Sequence, residues 1–156
     1  MILPATLRDL SYVAANMRLA DWEEISCQCP PSIRTLDVAA WSAQAREAYT
    51  VQRHGQPIAA FGVHDATPAG NVLSIWAWGT LEMPRAVPEI SRWIRQAVPR
   101  WIGEGVTRVE ARSIVGHTAA HRWMRKLSAR ETELPAFGRD GQDFVLFFWT
   151  RETWQL

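Results

Sequence analysis

Few residues in this chain are placed for chemistry, and most fall in two stretches. The first is "GTLEMPRAVPE", Gly79 to Glu89, where a run that reads as a strand gives way to one that reads as a helix starting near Pro88. Backbone N–H groups at a helix start are unpaired and carry partial positive charge, so such a junction can grip an anion. Thr80, Leu81, Glu82 and Arg85 are the residues placed to touch a ligand here, with Arg85 as a side-chain partner for phosphate. The turn is nevertheless poorly written for an anion. Leu81 to Val87 contains no glycine, Pro84 and Pro88 have no N–H, and Glu82 and Glu89 bring negative charge. Its plainer reading is a helix start with proline in the first turn and acids complementing the dipole.

The second stretch runs from Glu110 to His121. Histidine exchanges a proton near neutral pH, so His117 and His121 can act as acid or base, and Glu110 on the preceding strand can act as a base. Each also has an ordinary reading, as a structural histidine or an outward-facing strand residue. Cys27 and Cys29 are spaced C-x-C, a separation poorly suited to a disulfide. No second pair completes a zinc site, so both are expected to be free thiols in a reducing compartment, and no metal is expected.

The elements that must position these residues follow from the apolar pattern. "MILPA" reads as a strand. "TLRDLSYVAANMR" reads as a helix capped by Thr6, with Leu7, Leu10, Val13, Ala14 and Met17 on one face. "CQCPPS" breaks the chain, and "TLDVAAWSAQARE" forms a second helix with Leu36, Ala39, Ala40 and Ala43 as its packing stripe. "AYTVQRH" and "PIAAFGVH" make a hairpin about Gly55-Gln56, and "VLSIWAWGT" is a third strand whose Ser74, Trp76 and Trp78 share a face. A long helix follows, kinked or shortened by Pro99 and ended by Gly103 or Gly105. Then come the strand "VTRVEARSI", a helix with Ala120, Trp123, Met124 and Leu127 inward, and two strands joined through "GRDG". The predicted order is β-α-α-β-β-β-α-β-α-β-β over residues 1–156, a single α/β (α+β) domain with a mixed central sheet flanked by helices.

Composition narrows the function classes. The chain has 156 residues, 47% hydrophobic and 21% charged, with net charge +1, which argues against nucleic acid or acidic membranes as partners. No apolar run approaches the ~20 residues of a membrane span, and no leader opens the chain, so a bacterial cytoplasm is the expected place of synthesis. Nine tryptophans are many for this length. So many rings are hard to bury in one domain, which nominates Trp76, Trp78, Trp149 and Trp154 as an interaction surface.

The order of elements resembles the GNAT N-acetyltransferase fold over nearly the whole chain. "ILPATLRDLSYVAANM" is similar to that family's opening strand and helix, "VQRHGQPIAAFGV" to its central hairpin, and "ARSIVGHTAAHRWMRKLSARE" to its N-x-x-A-x-x-x-Y-x-x-x-G-F stretch. The resemblance implies an acyl group carried on coenzyme A and a pyrophosphate grip of the form R/Q-x-x-G-x-G/A, where this chain has "LEMPRAVPE". It also puts Met124 where the family has a proton-donating tyrosine, and His117 where it has asparagine.

"IWAWGT", "HRWMRKLSARE" and "FGRDGQDFVLFFW" further resemble small proteins of tailed phages and prophages related to the internal virion protein of short-tailed (podovirus) coliphages. That resemblance implies a GNAT-fold protein of virion assembly, with a degenerate active site and no cofactor. Its partners would be other virion or phage assembly proteins, or a second copy, and it would stay in the host cytoplasm or be packaged in the virion. The alternative is an active N-acetyltransferase that binds acetyl-CoA beside Thr80, Leu81, Glu82 and Arg85 and uses His117 or Glu110 for proton transfer.

Overall fold

The computed structural model describes residues 1–154. The chain runs β1 (Ile2–Pro4), α1 (Leu7–Ala15), α2 (Leu19–Ser26), α3 (Thr35–Ala43), β2 (Glu47–Arg53), β3 (Gln56–Asp65), β4 (Val72–Gly79), α4 (Met83–Gly103), β5 (Arg108–Ile114), α5 (Thr118–Lys126), β6 (Arg130–Leu134) and β7 (Phe144–Thr150). This is the expected order with one helix added, α2. The strands form one seven-stranded mixed sheet in the order β1-β2-β3-β4-β5-β7-β6. Every neighbouring pair is antiparallel except β4 and β5.

Local sequence explains most boundaries. Thr6 caps α1 by accepting from the Asp9 N–H at 3.1 Å. The β2–β3 turn sits on His54 and Gly55, both with positive φ (51° and 74°), as a two-residue hairpin of this twist requires; it lies one residue earlier than Gly55-Gln56. In α3, Asp37 accepts from the Arg34 N–H at 2.9 Å, and the buried stripe is Val38, Ala39 and Ser42. Leu36 points outward, 54% exposed, so the expected stripe is turned by part of a turn.

Helix α4 starts five residues before Pro88 and passes through both Pro88 and Pro99. Pro84 suits its first turn. Pro88 and Pro99 lie on its exposed side, where the carbonyls they leave unbonded meet water, while Ile90, Ile94, Ala97, Val98 and Trp101 anchor the opposite side.

Alternation along the strands feeds two cores. Phe61, Leu73, Ile75, Val109, Phe147 and Trp149 point to the side covered by α4 and α5. Ala60 and Trp78 point to the side covered by α1, α2 and α3, where they meet Leu10, Val13 and Val38. Opposite each indole of β4 stands a small residue of β3: Ala60 faces Trp78 and Gly62 faces Trp76. The tryptophans are therefore not a surface array. Trp78 and Trp149 are 1% and 0% exposed, Trp76 and Trp154 are half-buried, and Trp154 packs edge-on to Trp149. Paired small and large residues and indole N–H bonds, such as Trp149 to the Leu127 carbonyl at 2.8 Å, let this fold bury more rings than composition suggests.

Candidate functional site

The parallel pairing of β4 and β5 covers only Val72–Ser74 against Arg108–Glu110. Beyond it the two strands diverge, and the gap between them opens a cavity of about 620 Å³. Its wall has residues from both faces of the sheet. Ile90 and Trp93 of α4, Ala120, Trp123 and Met124 of α5, and Phe147 line the first side. Trp76 and Trp78, with Glu24 and Cys29 on or just after α2, Trp41 of α3 and His64, line the second. The cavity thus passes through the sheet.

Helix α2 closes the open end of the gap. The Arg18 N–H donates to the Gly79 carbonyl at 2.9 Å, and the Gly79 N–H donates to Asp21 Oδ2 at 2.9 Å. Three residues on, Glu24 Oε2 accepts from Ser113 Oγ at 2.7 Å and from the Ile114 N–H at 3.0 Å. Residues three apart on a helix share a face, so one short helix hands one carboxylate to each strand, where a β ladder would otherwise supply the bonds. Asp21 also accepts from Arg18 Nε at 2.8 Å, and its Oδ1 lies 3.0 Å from His117 Nε2, at the N-terminal boundary of α5.

This buried cluster has a definite electrostatic pattern. Burial pushes the Asp21 carboxyl upward, but hydrogen bonds from His117, Arg18 and the Gly79 N–H outweigh it and hold the group below its ordinary range. The bond to Asp21 raises His117, against the opposing effect of burial, so His117 stays protonated to higher pH. Burial dominates at Glu24, which the Ser113 bond, the charge of His117 and the Ile114 N–H only partly offset, and its carboxyl is pushed up. A carboxylate raised by burial on the wall of a cavity is a suitable proton acceptor at neutral pH.

The residues nominated from sequence are scattered around this site. His117 is 8% exposed and braces Asp21 from behind; it does not line the cavity. Glu110 is also 8% exposed, held between Arg108 Nε at 3.1 Å and Arg112 Nη2 at 3.0 Å, so it does not face the cavity as a free base. His121 is pinned to the Ile114 carbonyl at 2.9 Å and lowered by burial. Thr80, Leu81, Glu82 and Arg85 lie outside the cavity wall. There the turn satisfies itself: Thr80 Oγ1 accepts the Glu82 N–H at 3.1 Å, and Arg85 pairs with Glu82 at 3.0 Å. Trp76 and Trp78 do line the cavity. Cys27 and Cys29 are free thiols, both raised by burial, and among the described residues no group of three metal-ligating side chains is present. Asp21, Glu24 and Ser113 were not singled out from sequence. The available signal was Asp21 and Glu24 at i, i+3 beside the apolar Trp22 and Ile25.

No family model matches the chain, and no curated protein matches it in sequence. Solved structures do. An N-acetyltransferase from Staphylococcus aureus superposes with a TM-score of 0.73 at 14% identity, covering 96% of this chain and 97% of that one. A GNAT-family acetyltransferase from Bacillus anthracis gives 0.71 at 14% identity, covering 97% and 94%. The yncA protein of Salmonella typhimurium, solved with its cofactor acetyl-CoA, gives 0.68 at 11% identity, covering 96% and 92%. At 11–14% identity these neighbours share the fold with this chain. Among the described residues no helix is long and apolar enough to cross a membrane. The chain has the fold of the GNAT acetyltransferases.

Proposed function

We propose that the chain is an N-acyltransferase of the GNAT type, in which an acyl donor and an amine approach from opposite faces of the sheet and meet beside Glu24. The observation that carries this reading is the passage between the diverging strands β4 and β5, with a half-buried carboxylate on its wall. The donor that the fold suggests is acetyl-CoA, which supplies an acyl carbon already activated as a thioester. The α4–α5 side fits the apolar part of such a donor, because Ile90, Trp93, Ala120, Trp123 and Met124 form its wall. The turn after β4 does not fit the diphosphate through its backbone, since Pro84 has no N–H and the Glu82 N–H is already taken by Thr80. Charge would have to come from side chains, and Arg95 of α4 with Arg122 and Lys126 of α5 are exposed on the two helices that flank this opening.

The protein's own part is positioning and proton transfer. Glu24 takes the proton that an ammonium acceptor must lose, and Ser113 and the Ile114 N–H hold its carboxylate in place. A bound donor would supply the acyl carbon and carry away the thiolate, and Met124, which is 6% exposed, has no proton to give it. Asp21 and His117 keep α2 seated across the gap.

The test is calorimetric titration with acetyl-CoA, together with thiol release in the presence of amines, for the wild type and Glu24→Gln. Binding by both proteins with thiol release only by the wild type is expected. The reading fails if no heat is seen at about 1 mM ligand, an affinity of about −4 kcal/mol or weaker, or if Glu24→Gln releases thiol at the wild-type rate.

A further inference from the structure

The chamber on the α2–α3 side of the sheet has a wall of unusual composition. Trp41 stacks on His64 with ring centroids 3.7 Å apart and planes 19° apart. Trp76 stands 6.2 Å from Trp41 and 6.0 Å from His64, and it stacks on Trp78 at 5.8 Å. Trp41 remains 53% exposed at the rim, a large apolar ring without full cover. The indole N–H groups of Trp76 and Trp78 are buried and have no hydrogen-bond partner. The rings meet at tilted angles, so they present both faces and edges to a ring lying against them.

Most charged groups around this chamber have a direct ion-pair partner, and Glu24 does not. Asp37 is paired with Arg34 and Asp65 with Arg46, and Arg112, on the cavity wall, shares Glu110 with Arg108. Glu24 has only neutral donors, Ser113 Oγ and the Ile114 N–H. The nearest cation, His117, is hydrogen-bonded to Asp21, so a carboxylate whose own donors are neutral, beside the exposed ring of Trp41, favours a cation through both the carboxylate and the ring quadrupole.

We propose that the acceptor is a primary amine carried on an aromatic ring, an arylalkylamine, with its ring against Trp41 and Trp76 and its ammonium group at Glu24. This rests on the acyltransferase reading for what happens to the amine, but not for its binding. A simple alkylamine leaves the indole wall unused, and a neutral aromatic leaves Glu24 unpaired.

The test is calorimetric binding, without any acyl donor, of 2-phenylethylamine, 2-phenylethanol and n-butylamine to the wild type, Trp41→Ala and Glu24→Gln. The wild type is expected to bind 2-phenylethylamine at least about tenfold more tightly than either control. Trp41→Ala, at an exposed position, should erase the preference over n-butylamine, and Glu24→Gln the preference over 2-phenylethanol. Equal affinity for the three compounds, or no binding of 2-phenylethylamine at about 10 mM, overturns the proposal. Selective binding without thiol release from acetyl-CoA would leave the amine site standing and sink the transferase reading. Thiol release with n-butylamine as efficient as with 2-phenylethylamine would do the reverse.

Discussion

Replacing Asp21 by asparagine tests the brace across the diverging strands. Asp21 is 3% exposed and is shared by Arg18 Nε, the Gly79 N–H and His117. Asparagine keeps the volume but has one acceptor oxygen, and its amide group must face a donor. Removing one member of a buried ion pair costs about 3–5 kcal/mol, and stranding a buried N–H costs about 1–3 kcal/mol. These costs do not add, because the three donors share one carboxylate, so the expected loss is about 3 kcal/mol. For a domain of this size that lowers Tm by about 6–12 °C. Urea and thermal unfolding followed by circular dichroism would measure it, with His117→Asn and the double variant completing a cycle. The single losses should fail to add by more than about 1 kcal/mol. A Tm drop of less than about 2 °C, or additive losses, would show that the cluster does not hold the strands together.

Three further outcomes follow from the same geometry. Glu24→Gln should lower the rate of acyl transfer by about 10²–10⁴-fold while leaving donor affinity within about twofold, as read by thiol release and calorimetry. Stability should fall as pH rises: the raised His117 contributes fully below the ordinary histidine value of about 6.5 and loses its contribution above its folded value, and the raised Glu24 costs stability as pH climbs from the ordinary glutamate value of about 4.5 through its folded value. Asp21, being lowered, loses its contribution only in acid, so Tm should be higher near pH 5.5 than near pH 8.5, and His117→Asn should flatten that slope. Gly62→Ala should cost about 1–3 kcal/mol and shift the tryptophan emission, since its Cβ would sit 2.2 Å from the Glu47 carbonyl oxygen and 2.7 Å from Trp76 Cζ2.

The strands and the long helices are legible in the sequence because each carries a clear period. Leu73 and Ile75 alternate against Trp76 and Trp78, and the structure sends the two sets to opposite cores. Helix α4 begins earlier than Pro88 because proline is tolerated on a solvated face, a fact that only the packing of Ile90 and Ile94 reveals. Helix α2 escapes the eye because "LADWEEIS" is eight residues long, follows another helix without a clear cap, and leaves Leu19 68% exposed. Its two carboxylates look like surface charge, and their partners lie far along the chain: Ser113 is 89 residues from Glu24, and His117 is 96 from Asp21. The burial of Trp78 and Trp149 is hidden in the sequence for the converse reason, since the small residues and carbonyls that receive an indole come from other strands and loops.

The short helix across the gap also sets how the sheet can come apart. In an ordinary ladder, bonds fray one at a time from an end. Here the outermost links between β4 and β5 are carboxylates borne by one segment, so the amides of Gly79 and Ile114 lose their acceptors in a single event. Their hydrogen exchange should share one opening equilibrium, although they lie on different strands. Helix α2 is a latch inserted between α1 and α3, and its fit can change without rewriting either strand it fastens.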